Sequence, residues 1–344
     1  MGAYLLKRIA LMVPTLIGVL TLTFVMMQFV PGGPVEQVLA EARQRGGGEA
    51  GAYRAARDID AKQREALVRQ FGFDRPAHER YLRMLADYAR FDLGRSFMQS
   101  KTVGQLILEK LPVSLSLGAW TLLLTYAISI PLGVAKAVRE GSRFDTVTTL
   151  GVLLGYAVPG FVLGVLLIVL FAGGSFWDWF PLRGLTSDNF AELSPWGQVK
   201  DYLWHLALPL TCLVINGFAV TTLLAKNTFV EEARKQYVLV ARAKGLAPRR
   251  VLYRHVFRNA LLPLVAGFPA AFIGAFFTGS VLIETLFSLD GLGLLAYESA
   301  IRRDYPVVLG SLYLFTLLGL VVKLVADVLY TVVDPRLQFG AVER

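Results

Sequence analysis

The side chains that could carry chemistry are few and widely spaced in this chain. Its three histidines, His78, His205 and His255, lie in separate segments and show none of the spacings that bind a metal ion or pair a base with a nucleophile. Cys212 is the only cysteine, so neither an internal disulfide nor a cluster of thiolate ligands can form. The patterns H-E-x-x-H and G-x-S-x-G are also missing. We therefore expect no catalytic residue and no metal or cofactor site in this chain.

A nucleotide site is equally unsupported by the sequence. The phosphate-binding loop G-x-x-x-x-G-K-[ST] requires a Gly-Lys dipeptide, and the chain contains none. If the chain takes part in an ATP-driven process, ATP and magnesium must bind to a partner protein.

Four polar residues lie within or beside long apolar runs, where polar groups are costly. Gln28, Tyr156 and Asn216 could line a passage through a membrane, or they could form hydrogen bonds between helices. Glu284 lies where the fifth run meets the external face, and it could simply mark the end of a helix at the membrane surface, where a charge is inexpensive. For the first three residues the sequence leaves both alternatives open.

Residues 226–258, called the basic loop below, contain nine lysines and arginines. Its composition favours a helix that continues from Lys226 as far as Lys244, after which Gly245 can end the helix in the left-handed conformation. Pro248 can open a second, short helix over residues 249–258. A basic loop can rest on anionic lipid, but a rigid helix–glycine–helix unit favours docking to another protein.

Long apolar runs dominate the rest of the chain, in which 55% of the residues are hydrophobic and 18% are charged. A helix needs about 20 apolar residues to cross a membrane. Six runs are long enough: residues 9–30, 113–135, 146–177, 202–225, 259–283 and 305–333. We predict an all-α membrane protein with about six spanning helices. The net charge of +9 is then explained by basic residues that are concentrated in the connections between the spans, so a nucleic-acid partner is not expected.

The distribution of Lys and Arg predicts the orientation of the spans. The N-terminal segment and the connections on the same side of the membrane carry fourteen basic residues, nine of them in the basic loop. The short connections on the opposite side carry four, namely Arg183, Lys200, Arg302 and Arg303. The positive-inside rule therefore places both termini in the cytoplasm. Residues 31–110 form a long external segment, in which residues 43–57 are expected to be flexible and residues 78–91 to form an amphipathic helix. The first apolar run is longer than a signal-peptide core and is expected to remain as an anchor.

Several motifs resemble those of the dipeptide and oligopeptide ABC-importer permeases. The stretch YVLVARAKG (residues 237–245), followed by RH and RNALLP, is similar to the cytoplasmic signature loop of that family. Further similar segments occur along nearly the whole chain: LKRIALMVPTLIGVL and FVPGGP near the start, FGFDRP and FDLGRSF, then SLDGLG and RRDYPVVLG. A narrower likeness, carried by FAGGSFWDWFPLRGL and GFPAAFIGAFFTGS, is to a branch of the family associated with peptides and the peptide-nucleotide antibiotic microcin C.

This resemblance implies a type I ABC-importer fold and a set of partners. The domains would be a first span (1–30), the external segment (31–110), a five-span core (111–333) containing the basic loop, and a cytoplasmic tail (334–344). The partners would be a second homologous permease, a cytoplasmic ATPase with two nucleotide-binding domains, a periplasmic solute-binding protein and a peptide substrate, in the bacterial inner membrane.

The resemblance also implies roles for particular residues. Glu284 lies in IETLFSLDGLG, which resembles the segment near the external gate of these permeases, so the resemblance implies a role in gating. It assigns the basic loop to ATPase coupling. The positions so implicated are Ala241, Lys244, Gly245, Arg249, Arg254, His255 and Arg258. The general importer pattern begins Glu-Ala-Ala, whereas this chain has Leu239-Val240-Ala241, so only Ala241 and Gly245 carry over directly. We expect the small Ala241 side chain to face the ATPase and permit its close approach.

Two other classes of protein fit the composition less well. A stand-alone secondary transporter driven by an ion gradient often shows internal repeats and buried carboxylates, and the sequence has neither beyond Asp327 in its last span. A membrane enzyme would need a nucleophile or a metal cluster within its spans.

Overall fold

The computed structural model describes residues 2–30, 72–174, 176–277 and 281–333, with isolated positions at 33, 35, 65, 68 and 69. The prediction of an all-α protein is confirmed. Within these ranges the single β-type pairing is an isolated bridge between Arg95 and Thr102. The expected flexible stretch 43–57 and the tail 334–344 lie outside the described residues.

Twelve helices carry the described part of the chain. They are α1 (Gly2–Phe29), α2 (Ala77–Ala89), α3 (Val103–Val138), α4 (Arg143–Ala157), α5 (Gly160–Phe171), α6 (Pro195–Ala233), α7 (Gln236–Ala243), α8 (Pro248–Ala260, with a π-helical turn at Leu252–Val256), α9 (Leu262–Phe277), α10 (Val281–Leu286), α11 (Leu292–Ile301) and α12 (Tyr305–Val333).

Four of these helices, α1, α3, α6 and α12, are individually long and apolar enough to cross a membrane. Two bent pairs raise the number to six if each pair counts as one span: α4 with α5, bent by 91°, and α8 with α9, bent by 44°. The run 146–177, which is predicted to cross once, is thus divided between α4 and α5, and it forms one span only if this bent pair is counted together. The chain breaks at Val158 because the following Pro159 disfavours a helical conformation in the residue before it, and Val158 is extended (φ −89°, ψ 119°).

Local sequence signals explain where two of the helices begin. Ser142 caps α4 by accepting a hydrogen bond from the Asp145 backbone N–H. Ser194 caps α6 in the same way through Gly197, and Pro195 occupies the first helical position.

The described residues divide into two compact units, and the first comprises those within 2–110 and 295–324. Its amphipathic helix α2 confirms the prediction for residues 78–91. The buried ring of Tyr88 contacts Tyr313 with centroids 5.2 Å apart. Tyr81 packs on Phe24 of α1 with centroids 5.4 Å apart. The apolar stripe of α2 is thus used for packing.

The second unit comprises the described residues within 111–294 and 325–333. One of its cores gathers buried residues of α3, α6 and α10, including Leu117, Leu206, Cys212 and Ile283. A second core lies within and beneath the basic loop. This second core positions the candidate site.

Candidate functional site

The basic loop folds as two short helices around a left-handed glycine. Helix α7 ends at Ala243, Gly245 has φ +76°, and Pro248 occupies the first position of α8. These three features confirm the predicted helix–glycine–helix arrangement. The prediction of one continuous helix from Lys226 to Lys244 is wrong, because α6 ends at Ala233 and Lys235 is extended (ψ 150°).

This break folds α7 onto the end of α6, and a small apolar core results. Its buried members are Val134, Phe229, Val238, Ala241, Val251, Val256 and Ala260. Ala241 is only 7% exposed and lies inside this core, so the expectation that it faces a partner protein is wrong. A small residue is required there because α7 packs closely on its own loop.

The outer surface of α7 presents two apolar residues instead. Leu239 is 58% exposed and Val240 is 53% exposed, although neither carries over from the general importer pattern. The same loop also carries exposed cationic side chains, namely Lys244, Arg249, Arg254 and Arg258, whereas His255 is half-buried. Protein-docking surfaces commonly combine exposed apolar residues with charged ones.

Tyr237 joins three parts of the loop, and the sequence analysis did not single it out. Its hydroxyl donates to Glu232 Oε1 over 2.8 Å and accepts from Asn259 Nδ2 over 3.3 Å, and it also lies 3.3 Å from the His255 carbonyl oxygen. Burial and the neighbouring Glu232 carboxylate raise the pKa of Tyr237. The phenol therefore stays protonated and ties the end of α6 to α8.

A buried ion cluster joins helices α3, α4 and α6. Lys136 is fully buried, and its Nζ donates to the Asp145 carbonyl oxygen (2.9 Å), Thr148 Oγ1 (2.8 Å) and Thr149 Oγ1 (2.6 Å). The Asp145 carboxylate also pairs with Lys226, the first residue of the basic loop, at 2.6 Å. In the sequence, both lysines indicate only the orientation of the spans and, for Lys226, the start of the basic loop. The position of Lys136 directly after an apolar run was the available clue to burial.

Glu284 is fully buried in the described structure, which excludes the interpretation as an exposed interfacial charge within this chain. Its Oε2 accepts from the Leu294 backbone N–H over 2.7 Å. Its Oε1 lies 3.4 Å from the Ser114 hydroxyl, which itself accepts from the Leu292 N–H. Glu284 and Ser114 thus cap the N-terminus of α11, where orphan N–H groups and the helix dipole favour a carboxylate.

The other polar candidates occupy two different places. Asn216 packs against Gly160 at the bend between α4 and α5, and the exposed Tyr156 is at the end of α4 beside that bend. Gln28 belongs to the first unit and accepts a hydrogen bond from Arg80 over 2.8 Å. The structure therefore brings Tyr156 and Asn216 near one bend of the second unit.

Several apolar helices of spanning length define a multi-pass membrane protein. Residues 129–339 match the family described as "binding-protein-dependent transport system inner membrane component", and the chain belongs to this family. It is an ABC-importer permease.

Three relatives match this chain over nearly its full length. The chain is 55% identical over 359 residues to the peptidoglycan transport system permease protein YejB of Agrobacterium fabrum, covering 98% of this chain and 99% of that protein. It is 51% identical to the inner membrane ABC transporter permease protein YejB of Escherichia coli O157:H7, with the same coverage of 98% and 99%. Against the oligopeptide transport system permease protein AppB of Bacillus subtilis the identity is 33%, covering 98% of this chain and 100% of that protein.

A solved structure supports the fold. A chain from the inward-facing MetNI methionine ABC transporter matches with a TM-score of 0.50 and 17% identity, covering 67% of this chain and 97% of that chain. At this identity the match shows the fold alone. The predicted type I ABC-importer fold is confirmed.

Proposed function

We propose that this chain forms half of the translocation passage of an ATP-driven importer of peptides or peptide-like compounds in the bacterial inner membrane. The basic loop docks on a cytoplasmic ATPase and transmits its movement to the spanning helices. One observation carries the proposal: Leu239 and Val240 are exposed on a loop that has its own packed core and exposed basic residues. A rigid, partly apolar projection can transmit force, whereas a flexible basic loop on lipid cannot.

The remaining partners follow from membership of the family. A second homologous permease would complete the passage, a periplasmic solute-binding protein would deliver the cargo, and ATP and magnesium would bind on the ATPase. The names of the relatives include peptidoglycan transport and oligopeptide transport. Peptide is the chemistry that these cargos share, and a microcin C type of compound also contains it. The fourteen-to-four distribution of basic residues supports cytoplasmic termini and an external segment at 31–110.

Within this assembly the polar candidates have different roles. Asn216 and Tyr156 lie at the bend of a broken span, and bends suit a passage that opens alternately to the two sides. Glu284, which caps α11, is suited to transmit movement of that helix toward the external gate.

The alternative function, a secondary transporter driven by an ion gradient, predicts a different dependence on energy. The test is to express the chain with its neighbouring permease and ATPase genes and to measure peptide uptake and co-purification of the ATPase. We expect uptake to stop when the Walker lysine of the ATPase is replaced, with the complex still assembled. Uptake that survives this replacement and follows an ion gradient would overturn the proposal.

A further inference from the structure

A polar network connects helix α6 to both helices of the basic loop. Glu232, in the last turn of α6, is buried, and its Oε1 accepts a hydrogen bond from the Tyr237 hydroxyl of α7 over 2.8 Å. Its Oε2 pairs with Lys235, which lies in the break between these two helices. Asn259 of α8 donates to the Tyr237 hydroxyl oxygen over 3.3 Å. The Tyr237 hydroxyl therefore links all three helices.

The position of Glu232 is unfavourable for a carboxylate unless the carboxylate has specific partners. Burial removes the charge from water, and the C-terminal end of a helix carries a partial negative charge of its own. Lys235 and the Tyr237 hydroxyl offset both effects. An apolar residue at this position would avoid them altogether, so the carboxylate indicates a need for a strong acceptor beside Tyr237.

The Tyr237 hydroxyl has two acceptors within reach of its single proton. The Glu232 oxygen lies 2.8 Å away, and the carbonyl oxygen of His255 lies 3.3 Å away. A hydroxyl donates one hydrogen bond at a time. The shorter distance and the negative charge favour Glu232 in this structure. The hydroxyl can therefore be bound to α6, as here, or to α8 after a small displacement of α7.

The second of these acceptors belongs to an irregular turn. His255 lies in the π-helical turn Leu252–Val256, which interrupts α8. Such turns are rare and are frequently found at functional sites. Beyond this turn, α8 meets α9 at a bend of 44°. The His255 carbonyl is thus placed where α8 can change its geometry and carry α9 with it.

Other contacts of α7 are apolar. Val238 and Ala241 pack in the core of the basic loop, and apolar contacts have no directional preference. A hydrogen bond, in contrast, weakens steeply when its geometry changes. Tyr237 shares this short helix with the exposed Leu239 and Val240. A displacement of the exposed surface of α7 therefore reaches the hydrogen bond of Tyr237 directly.

We propose that Tyr237 is the positioning residue that transmits movement of the ATPase to the spanning helices, by exchanging its hydrogen bond between Glu232 of α6 and the His255 carbonyl of α8. This role rests on the proposed docking of the basic loop on an ATPase. Two tasks of the loop are then separate: Leu239 and Val240 make the contact, and Tyr237 conveys the movement. Loss of the hydroxyl should therefore uncouple ATP hydrolysis from transport without releasing the ATPase.

The test compares variants of the full complex, reconstituted in vesicles with its partner permease, ATPase and solute-binding protein. The probe is a labelled casein digest, whose imported peptides are identified by mass spectrometry. ATPase retention, ATP hydrolysis and peptide import are measured together. Tyr237→Phe removes only the hydroxyl. Tyr253→Phe is the matched control on the same loop, because Tyr253 is 63% exposed and its hydroxyl makes no hydrogen bond with the described residues.

We expect the Tyr237→Phe complex to retain the ATPase and to import about tenfold less peptide per ATP hydrolysed, as for the loss of a hydrogen bond to a charged group. A second variant, Glu232→Gln, keeps the test decisive if Tyr237→Phe fails to fold. It retains the shape and a carbonyl acceptor but removes the charge, so the same ratio should fall about threefold. Tyr253→Phe should match the wild type.

An unchanged ratio of import to hydrolysis in Tyr237→Phe and Glu232→Gln would overturn this role, even if both rates fell together. A merely structural contact lowers the amount of working complex and leaves that ratio intact. Loss of the ATPase from the Tyr237→Phe complex would also overturn the role, since Tyr237 would then belong to the docking contact, as would an equal fall of the ratio in Tyr253→Phe. A wild-type complex that holds no ATPase would instead overturn the proposed function.

Discussion

Lys136 Nζ lies 3.2 Å from Asp145 Oδ1, while Lys226 Nζ lies 2.6 Å from the other oxygen of the same carboxylate. One aspartate therefore compensates two lysines, one at the end of α3 and one near the end of α6. This cluster holds the first residue of the basic loop against α3 and α4. Removing the carboxylate would leave the fully buried Lys136 without a counter-charge.

Asp145→Asn should lower the free energy of unfolding by about 3 kcal/mol, as is typical when one partner of a buried ion pair is removed. Denaturation of the purified chain by dodecyl sulfate measures this change. Asp188→Asn, the same substitution at an exposed position, is the control. Adding Lys226→Met to Asp145→Asn should recover part of the loss, because one uncompensated charge is removed. Equal stability of Asp145→Asn and the control would contradict this role.

Gly133 marks a close approach of α3 and α6 beside this cluster. A β-carbon at Gly133 would lie 2.5 Å from the Ala225 β-carbon and 3.0 Å from the Lys226 backbone nitrogen, so the helices must separate. Gly133→Ala should destabilise the chain by about 1–3 kcal/mol. Gly151→Ala, where a β-carbon meets nothing within 4 Å, should have little effect. The same denaturation measurement compares them, and a harmless Gly133→Ala would show that the close approach is not required.

The Glu284 cap makes a prediction about transport rather than folding alone. Glu284→Gln keeps one carbonyl acceptor for the Leu294 N–H but removes the charge at the α11 N-terminus, so uptake should fall while the amount of assembled complex is maintained. Unchanged uptake would show that Glu284 has no role in gating.

Gly291 provides an independent test of the same cap. A β-carbon there would lie 2.5 Å from Glu284 Cδ, so Gly291→Ala should displace the carboxylate and also reduce uptake. Gly267→Ala, which meets nothing within 4 Å, is its control. Loss of uptake in both glycine variants would mean that the effect is not specific to the cap.

Substitutions at Gly245 test backbone strain in the absence of steric crowding. A β-carbon there meets nothing within 4 Å, so the cost of substitution comes from φ +76° alone. Gly245→Ala should cost about 1 kcal/mol and Gly245→Val more, whereas Gly245→Asn should be tolerated. Uptake should follow the order Gly, Asn, Ala, Val at equal membrane abundance. Full uptake by Gly245→Val would show that the left-handed turn is dispensable.

The sequence was sufficient to predict the features that local chemistry determines. The apolar runs predicted the spans, Gly245 and Pro248 predicted the turn, and the amphipathic pattern over residues 78–91 predicted α2. It was insufficient where a residue's role depends on tertiary packing. The direction in which Ala241 points depends on the break at Lys235, and the burial of Lys136 depends on threonines from the next helix. Similarly, Glu284 meets Ser114, 170 residues away in the chain, through the fold alone.

Site-specific crosslinking tests docking of the basic loop most directly. Cys212 is fully buried and therefore inert toward added reagents, so an introduced cysteine at an exposed position can be addressed selectively in this chain. Val240→Cys and Asp188→Cys, each in the complex with its partners, would be treated with a short thiol-to-amine crosslinker, and the products would be identified by mass spectrometry. The account predicts that Val240→Cys joins the ATPase and that Asp188→Cys does not. A complex that assembles and transports peptide normally, yet gives no crosslink from Val240→Cys to the ATPase, would contradict it.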